Sequence, residues 1–291
     1  QQSAVTLALR YQLPLAGSPY CGNRQIRAWA IAGLRYWAGR QHRDGSFDEY
    51  YPFEHGYIPT SFSLYAAAEA CRVLDWADDG VVAACRRAAA YLVKTEERQA
   101  LNQEAAALPG LYATYLLTGD EQIGAAAGEK FERFLGLQSA EGWFAEYGGA
   151  DMGYLSTTLD FLAEYWRMSG DQRAFDACAG IVDFARYFIH QDGSAGGQYG
   201  ARNTEYFLLS GLSAMAGTSD AAVAMLDGVR RQMGDPASAY ASFDDRYLSH
   251  NMLPSLLRAL RNLPDEKAAP APLPCQTAHA RDFPEAGLLS L

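Results

Sequence analysis

Tyrosines spaced seven residues apart, each pair enclosing a polar residue, are the chemistry-bearing pattern of this chain. Tyr50 and Tyr57 enclose Glu54, Tyr147 and Tyr154 enclose Asp151, Tyr199 and Tyr206 enclose Asn203, and Tyr240 and Tyr247 enclose Asp244. Aromatic faces stack on sugar and apolar rings, while Asp, Asn, Glu and Arg hydrogen-bond to hydroxyls. Such a set is the usual makeup of a small-ligand or glycan cleft. Two stretches concentrate it: Asp48, Glu49, Tyr50, Tyr51, Glu54, His55 and Tyr57, and then Asp244, Asp245, Arg246, Tyr247, His250 and Asn251. On a regular helix Tyr247, His250 and Asn251 share one face. A His, a Tyr and an Asn or Arg are the parts needed to abstract a proton beside a carboxylate and stabilise the developing charge. The expected catalytic residues are therefore His250, Tyr247, His55 and Glu54. The expected substrate-binding residues are Tyr50, Tyr57, Glu146, Tyr147, Asp151, Tyr154, Arg202, Asn203, Tyr206, Asp244, Arg246 and Asn251.

Each of these residues also has a plainer reading. Asp151, Asn203 and Asp244 stand where a helix N-cap would, accepting a bond from an otherwise orphan backbone N–H. Glu54 suits that role poorly. The tyrosines could be packing residues at helix starts, and His250, beside Leu253 and Leu257, a core histidine. A rival chemistry uses two carboxylates across a glycosidic bond. Glu54, Glu146, Asp151, Asp244 and Asp245 offer too many candidates to choose a pair.

Other chemistries find no support. His42, His55, His190, His250 and His279 form no HExxH and no close pair with Cys, so no zinc site and no cofactor is expected; a hard-cation site built from rim carboxylates stays open but unspecific. No Walker motif or GxSxG elbow occurs. With 24 basic and 34 acidic residues the net charge is -10, which argues against a nucleic-acid partner. Apolar runs are broken by charge well before about 20 residues, so no membrane insertion is expected. Five widely spaced cysteines make no disulfide framework, and Cys71, Cys85 and Cys178 read as small buried hydrophobes. Gln1, Gln2 and Ser3 show neither an initiator Met nor a signal-peptide pattern, which leaves a cytoplasmic or a periplasmic location open.

The elements that must position these residues are helices. Ile26, Trp29, Ala30, Leu34 and Trp37 recur at helical spacing within Arg24–Gln41. Similar stripes run over Ser61–Leu74, Val81–Lys94, Leu101–Leu117, Ile123–Leu137, Leu155–Trp166, Phe175–Ile189, Phe207–Met215, Ala221–Met233 and Tyr247–Leu260. Thr118-Gly119-Asp120 and Ser169-Gly170-Asp171 each end one helix with Gly and offer Asp to cap the next. About ten helices in pair repeats of some 40–50 residues predict an all-α array, an (α/α) toroid or incomplete toroid. One degenerate repeat is expected near Arg98–Leu108, and the long connections should gather the site. The toroid is expected over residues 1–263. Residues 264–291, Pro- and Ala-rich, read as a strap that folds back or as the start of a β-sandwich.

The run Gly142–Gly153, the segment Gly200-Ala201-Arg202-Asn203-Thr204-Glu205-Tyr206 and the tail Phe283-Pro284-Glu285-Ala286-Gly287-Leu288 together resemble the heparinase II/III-like proteins. That resemblance implies an α/α toroid followed by a β-sandwich that opens at the Phe-Pro-Glu-Ala-Gly segment, supplied here beyond residue 291 or by a partner chain. It also implies polysaccharide lyase chemistry, a β-elimination at a uronic acid with Tyr and His as base and acid. The family's Asn-His dipeptide has its two residues here in reversed order, as His250-Asn251. The expected partner is a polysaccharide or oligosaccharide. Alternatives are a glycoside hydrolase and a non-catalytic glycan-binding toroid. Gln41 followed by Asp44-Gly45-Ser46-Phe47 is also similar to the repeats of terpenoid cyclases, although no DDxxD or DxDD motif accompanies it.

Overall fold

A computed structural model describes residues 2–197, 200 and 203–291, with the side chain of Arg246 outside the description. The chain divides into two compact units. The first comprises Gln1–Arg98, Gln103–Phe134 and Ser249–Leu257; the second comprises Gln99–Asn102, Leu135–Leu248 and Arg258–Leu291.

In the first unit α1 (Gln2–Gln12), α2 (Arg24–Gly39), α3 (Tyr57–Val73) and α4 (Asp79–Lys94) pack on one another, followed by α5 (Leu101–Thr118) and α6 (Glu121–Leu135). Two kinds of helix alternate, for a reason visible in their residues. On α2 the buried positions Ile26, Ala30, Leu34 and Trp37 form one stripe, and the other faces carry Arg, Gln and Tyr. On α3 burial runs nearly all round, through Ser61, Ser63, Ala66, Ala67, Ala68 and Ala70. Small side chains let neighbours approach closely: a Cβ on Gly110 of α5 would lie 3.2 Å from the Tyr65 backbone N. Asn23 caps α2 by accepting from the Gln25 and Ile26 N–H groups, and Asp78 caps α4 by accepting from Val81. Helix α1, which starts the chain without an N-cap signal, is absent from the sequence-based expectation.

The second unit repeats the alternation. Helix α7 (Met152–Ser169) is buried on most sides, and α8 (Gln172–Ala185) and α10 (Asp220–Met233) are amphipathic. Asp151 caps α7, Gly170 ends it at φ 71°, and Asp171 caps α8, as the sequence predicts. The Phe175–Ile189 stripe ends instead in a 3-10 turn over Arg186–Phe188, and the Phe207–Met215 stripe shortens to α9 (Ser210–Met215). Three-residue α11 (Asp245–Tyr247) runs through a π-helical segment, Leu248–Met252, into α12 (Leu253–Asn262), of which the part up to Leu257 belongs to the first unit. The π segment replaces the 3.6-residue period on which a shared face for Tyr247, His250 and Asn251 rested.

A turn recurs after α2, α6 and α8. In the first copy the His42 N–H donates to Ser46 O, the Gly45 N–H donates to His42 O, and Gln41 Nε2 donates to Gly45 O. In the second the corresponding donors are Ser139, Gly142 and Gln138. The third uses His190 and Gly193. Gly45 sits at φ 96°, and a Cβ there would collide with the Arg87 carbonyl, so only glycine fits.

After the Pro-rich stretch, β1 (Arg281–Phe283) and β2 (Leu288–Ser290) pair antiparallel, with Asp282 opposite Leu289. Phe283 is buried against Phe184, Tyr187 and Phe188, with ring centroids 5.0 to 5.3 Å away. The Glu285 and Ala286 N–H groups donate to the Glu141 carboxylate. This segment thus folds back as an arm onto its own unit.

Candidate functional site

The long connection from α2 to α3, residues 40–56, is built upward from the core. Phe47 stacks on buried Trp37, 5.0 Å between centroids at 15°, and its N–H donates to Thr60 Oγ1 at 3.0 Å. Gly56 bridges back to Phe47, closing the loop at its base. Asp44 then fixes the turn, its Oδ1 accepting from the Ser46 N–H (3.0 Å) and hydroxyl (2.6 Å).

On this base lie two Asp–His pairs. His55 Nδ1 is 2.7 Å from Asp44 Oδ2 and 2.8 Å from Ser46 Oγ. His42 Nε2 is 2.7 Å from Asp48 Oδ1, and the two imidazoles stack at 4.2 Å. Burial pushes the Asp44 carboxyl up, but its bonds from Ser46 and His55 outweigh that and hold it below the usual range. For Asp48 the same opposition ends at about 2, because His42 and the Phe53 and His55 N–H groups all donate to it. Both carboxylates are therefore ionised acceptors near neutrality. Ser46 already spends its hydroxyl proton on Asp44, so His55 Nδ1 carries the hydrogen. In the neutral ring that leaves Nε2 as the proton-accepting nitrogen.

Local backbone strain sets the ring in place. Phe53 and His55 adopt φ 68° and 51°, left-handed values that nonglycine residues rarely take. They are held there by Asp48, which accepts from the N–H groups of Phe53, Glu54 and His55, and by the Tyr91 hydroxyl, which donates to His55 O at 2.6 Å. Glu54 Oε2 accepts from the Glu49 and Tyr50 N–H groups at 2.7 and 2.9 Å, and these bonds lower its carboxyl. Glu54 is thus a staple across the loop tip, where Tyr50, Tyr51 and Phe53 are 72%, 73% and 79% exposed.

Tyr57, the first residue of α3, donates to Glu104 Oε2. Glu104 Oε1 lies 2.5 Å from Lys130 Nζ, and Lys130, 1% exposed, also donates to Thr95 O and sits 5.6 Å over the Tyr57 ring. Burial, then the Glu104 charge, push the Tyr57 phenol well up. It stays protonated, a donor rather than a base.

The other expected residues lie elsewhere. Glu146 is buried, receiving the Asn102 N–H (2.6 Å) and Nδ2 (2.8 Å) at the start of α5. Tyr147, at φ 52°, meets Tyr154 edge to face at 6.4 Å. Asp151 and Asp244 are the N-caps of α7 and α11, accepting from the N–H groups of Tyr154 and Tyr247. Asn203 sits at φ 51°. Tyr206 packs edge-on against Phe243, which stacks parallel to Tyr247. His250 is exposed, with Nδ1 2.9 Å from Ser249 Oγ, and Asn251 is half-buried. Arg202, Tyr199 and the Arg246 side chain fall outside the described residues.

Sequence reasoning named His55 but missed the partners that define it. Asp44, Ser46, His42 and Tyr91 stand at offsets matching no helix or strand period. The available signal was Asp44-Gly45-Ser46 itself, a turn that brings its Asp side chain back over the loop. Among the described residues no group of three His, Cys, Asp or Glu is placed to hold a metal ion, and no helix is long and apolar enough to cross a membrane.

No protein-family model and no curated protein sequence matches the chain. Solved structures do. A polysaccharide lyase is 11% identical at a TM-score of 0.53, covering 98% of this chain and 86% of its own. The chondroitin AC lyase of Streptomyces coelicolor is 14% identical at 0.55, covering 94% of this chain and 42% of its own. The unsaturated glucuronyl hydrolase of Streptococcus agalactiae is 14% identical at 0.49, covering 93% and 70%. The two lyase matches establish the fold class: all-α, of the α/α-toroid type.

Proposed function

We propose that this chain is a carbohydrate-active enzyme of the polysaccharide lyase kind, with the 42–55 loop as its proton-transfer site. One observation carries the reading: Asp44 and Ser46 occupy Nδ1 of a partly exposed histidine and leave Nε2 free to accept a proton. His55 Nε2 takes the proton from the carbon beside the uronate carboxyl. The C–O bond one carbon further on breaks, a carbon–carbon double bond forms, and the leaving oxygen takes a proton, which the imidazolium can supply. Tyr50, Tyr51 and Phe53 offer stacking faces for the sugar rings. The fold shared with two lyases supports the reading, and the Gly142–Gly153, Gly200–Tyr206 and Phe283–Leu288 segments favour the heparinase II/III-like branch.

A hydrolase with paired carboxylates fits this loop less well. It needs one carboxyl protonated, whereas Asp44, Asp48 and Glu54 are all held low.

The test is a panel of uronic-acid and neutral polysaccharides, followed by ultraviolet absorbance for an unsaturated product and by reducing ends in parallel. Both signals rise together for a lyase; reducing ends alone mean hydrolysis. Asn tolerates the left-handed backbone of position 55, so His55→Asn keeps the loop while removing the base. We expect a loss of about 100- to 10,000-fold in turnover. Asp44→Asn, which no longer fixes the tautomer, should also lose turnover. Unchanged turnover in both variants would sink the assignment.

A further inference from the structure

Charge is distributed unevenly along this acidic chain. Residues 1–43 contain six arginines and no Asp, Glu or Lys, leaving eighteen basic against thirty-four acidic residues for the remainder. Four of the six belong to α2 or its C-cap; Arg35 is paired with Asp78, and Arg24 and Arg40 stand at the two ends of the helix. Its buried stripe fixes which face remains outside. Trp29, Tyr36 and Arg40 line up on that side, with Arg24 on its flank at the start of the helix, and Trp29 is 55% and Tyr36 69% exposed. Seven residues separate the two rings, about 10.5 Å along the axis, which is the span of a disaccharide. Exposed Ala28 and Ala32 leave a flat floor beside them. Arg24 and Arg40 make no ion pair or side-chain hydrogen bond among the described residues, so both guanidiniums are available.

We propose that this face of α2 is a second glycan-binding surface, for an anionic polysaccharide strand, separate from the proton-transfer pair. Indole and phenol faces stack on sugar rings, and arginine forks grip carboxylate or sulfate in bidentate fashion. Residues 1–43 carry no acidic side chain of their own, so a polyanion meets less repulsion along this segment than a chain of net charge -10 would otherwise offer. The surface also leads somewhere. Helix α2 ends at Gly39, and Arg40 and exposed Arg43 flank the entry to the loop that carries His42, Asp44 and His55. A strand held along α2 is thereby delivered to that loop. The substrate class rests on the lyase reading above, whereas the binding surface does not.

Electrophoresis of the whole chain through gels containing polygalacturonate, with dextran gels as the neutral control, tests this. The wild type should be retarded by polygalacturonate and not by dextran, and added salt should weaken the retardation. Trp29→Ala/Tyr36→Ala and Arg24→Glu/Arg40→Glu change only partly or fully exposed side chains. Each should bind about tenfold or more weakly, with an unchanged thermal melt and unchanged breakdown of short oligosaccharides. Wild-type affinity in both variants, or equal retardation by dextran, overturns the proposal. So does binding to phosphatidylserine vesicles without binding to polygalacturonate, which would assign the face to a membrane surface. Should no polysaccharide yield product, the lyase reading falls, and the retardation assay still decides this one.

Discussion

Asp48 organises the His42–His55 loop more than any other side chain. Its two oxygens receive three backbone N–H groups and the His42 ring, more than an exposed carboxylate usually collects. Those donors bring its pKa from an ordinary 3.8 to about 2. A depressed carboxyl pKa stabilises the folded form above the unfolded value and ceases to do so as pH falls through the folded one. The loop should therefore keep its geometry on acidification to pH 3.8 and lose it as the pH approaches 2. In an NMR titration the Phe53 and Glu54 amide protons should report that step, and Asp48→Asn should remove it. A step centred near 4 in the wild type would contradict the geometry. The sequence marked Asp48, Glu54 and His55 as one cluster because they are close along the chain. It could not mark Asp44 as the partner of His55, eleven residues away, since that pairing depends on a loop closed by Gly45 and Gly56. Nor did equal spacing mean equal roles. Asp151 and Asp244 are caps, Glu54 staples a loop tip, and Tyr57 binds Glu104 whereas Tyr154 meets Tyr147.

The helices were legible where burial follows a single stripe, as on α2, α4 and α10, because periodicity and caps point the same way. Legibility failed at α1, for which the sequence offers no cap-type residue, and at the π segment Leu248–Met252, whose extra-wide turn no 3.6-residue pattern encodes. It also failed to foresee what joins α3, α5 and α6 in the first unit. Glu104 and Lys130 are drawn there into a buried ion pair that Tyr57 completes. Removing one member leaves the other charge without compensation in a dry site. Lys130→Met should therefore cost about 3–5 kcal/mol of unfolding free energy. The double replacement Glu104→Leu/Lys130→Met should recover most of that loss, since two apolar side chains leave no orphan charge. Urea denaturation of the three proteins measures both. Near-additive losses in the double variant would mean that the pair contributes through packing and not through charge.

Across the whole chain the five thiols report the opening of each unit under stress. Cys71 and Cys85 are buried in the first unit and Cys178 in the second, while Cys21 is exposed and Cys275 half-buried. Burial pushes the Cys71 thiol up to about 12 and raises Cys85 and Cys178 as well, so none forms thiolate near neutrality. The thiolate is the form that iodoacetamide alkylates, so native protein at neutral pH should be modified at Cys21, more slowly at Cys275, and not at the three buried sites. Along a urea gradient Cys71 and Cys85 then report opening of the first unit and Cys178 opening of the second. Repeat architectures draw stability from each neighbour in turn, and here the first unit includes Ser249–Leu257, contributed from far along the chain. Cys71 and Cys85 should therefore become reactive over one common urea range, that of the first unit as a whole. Peptide mass spectrometry of the alkylated protein reads this directly. Exposure of Cys71 at a urea concentration that leaves Cys85 protected would show that the first unit does not open as one.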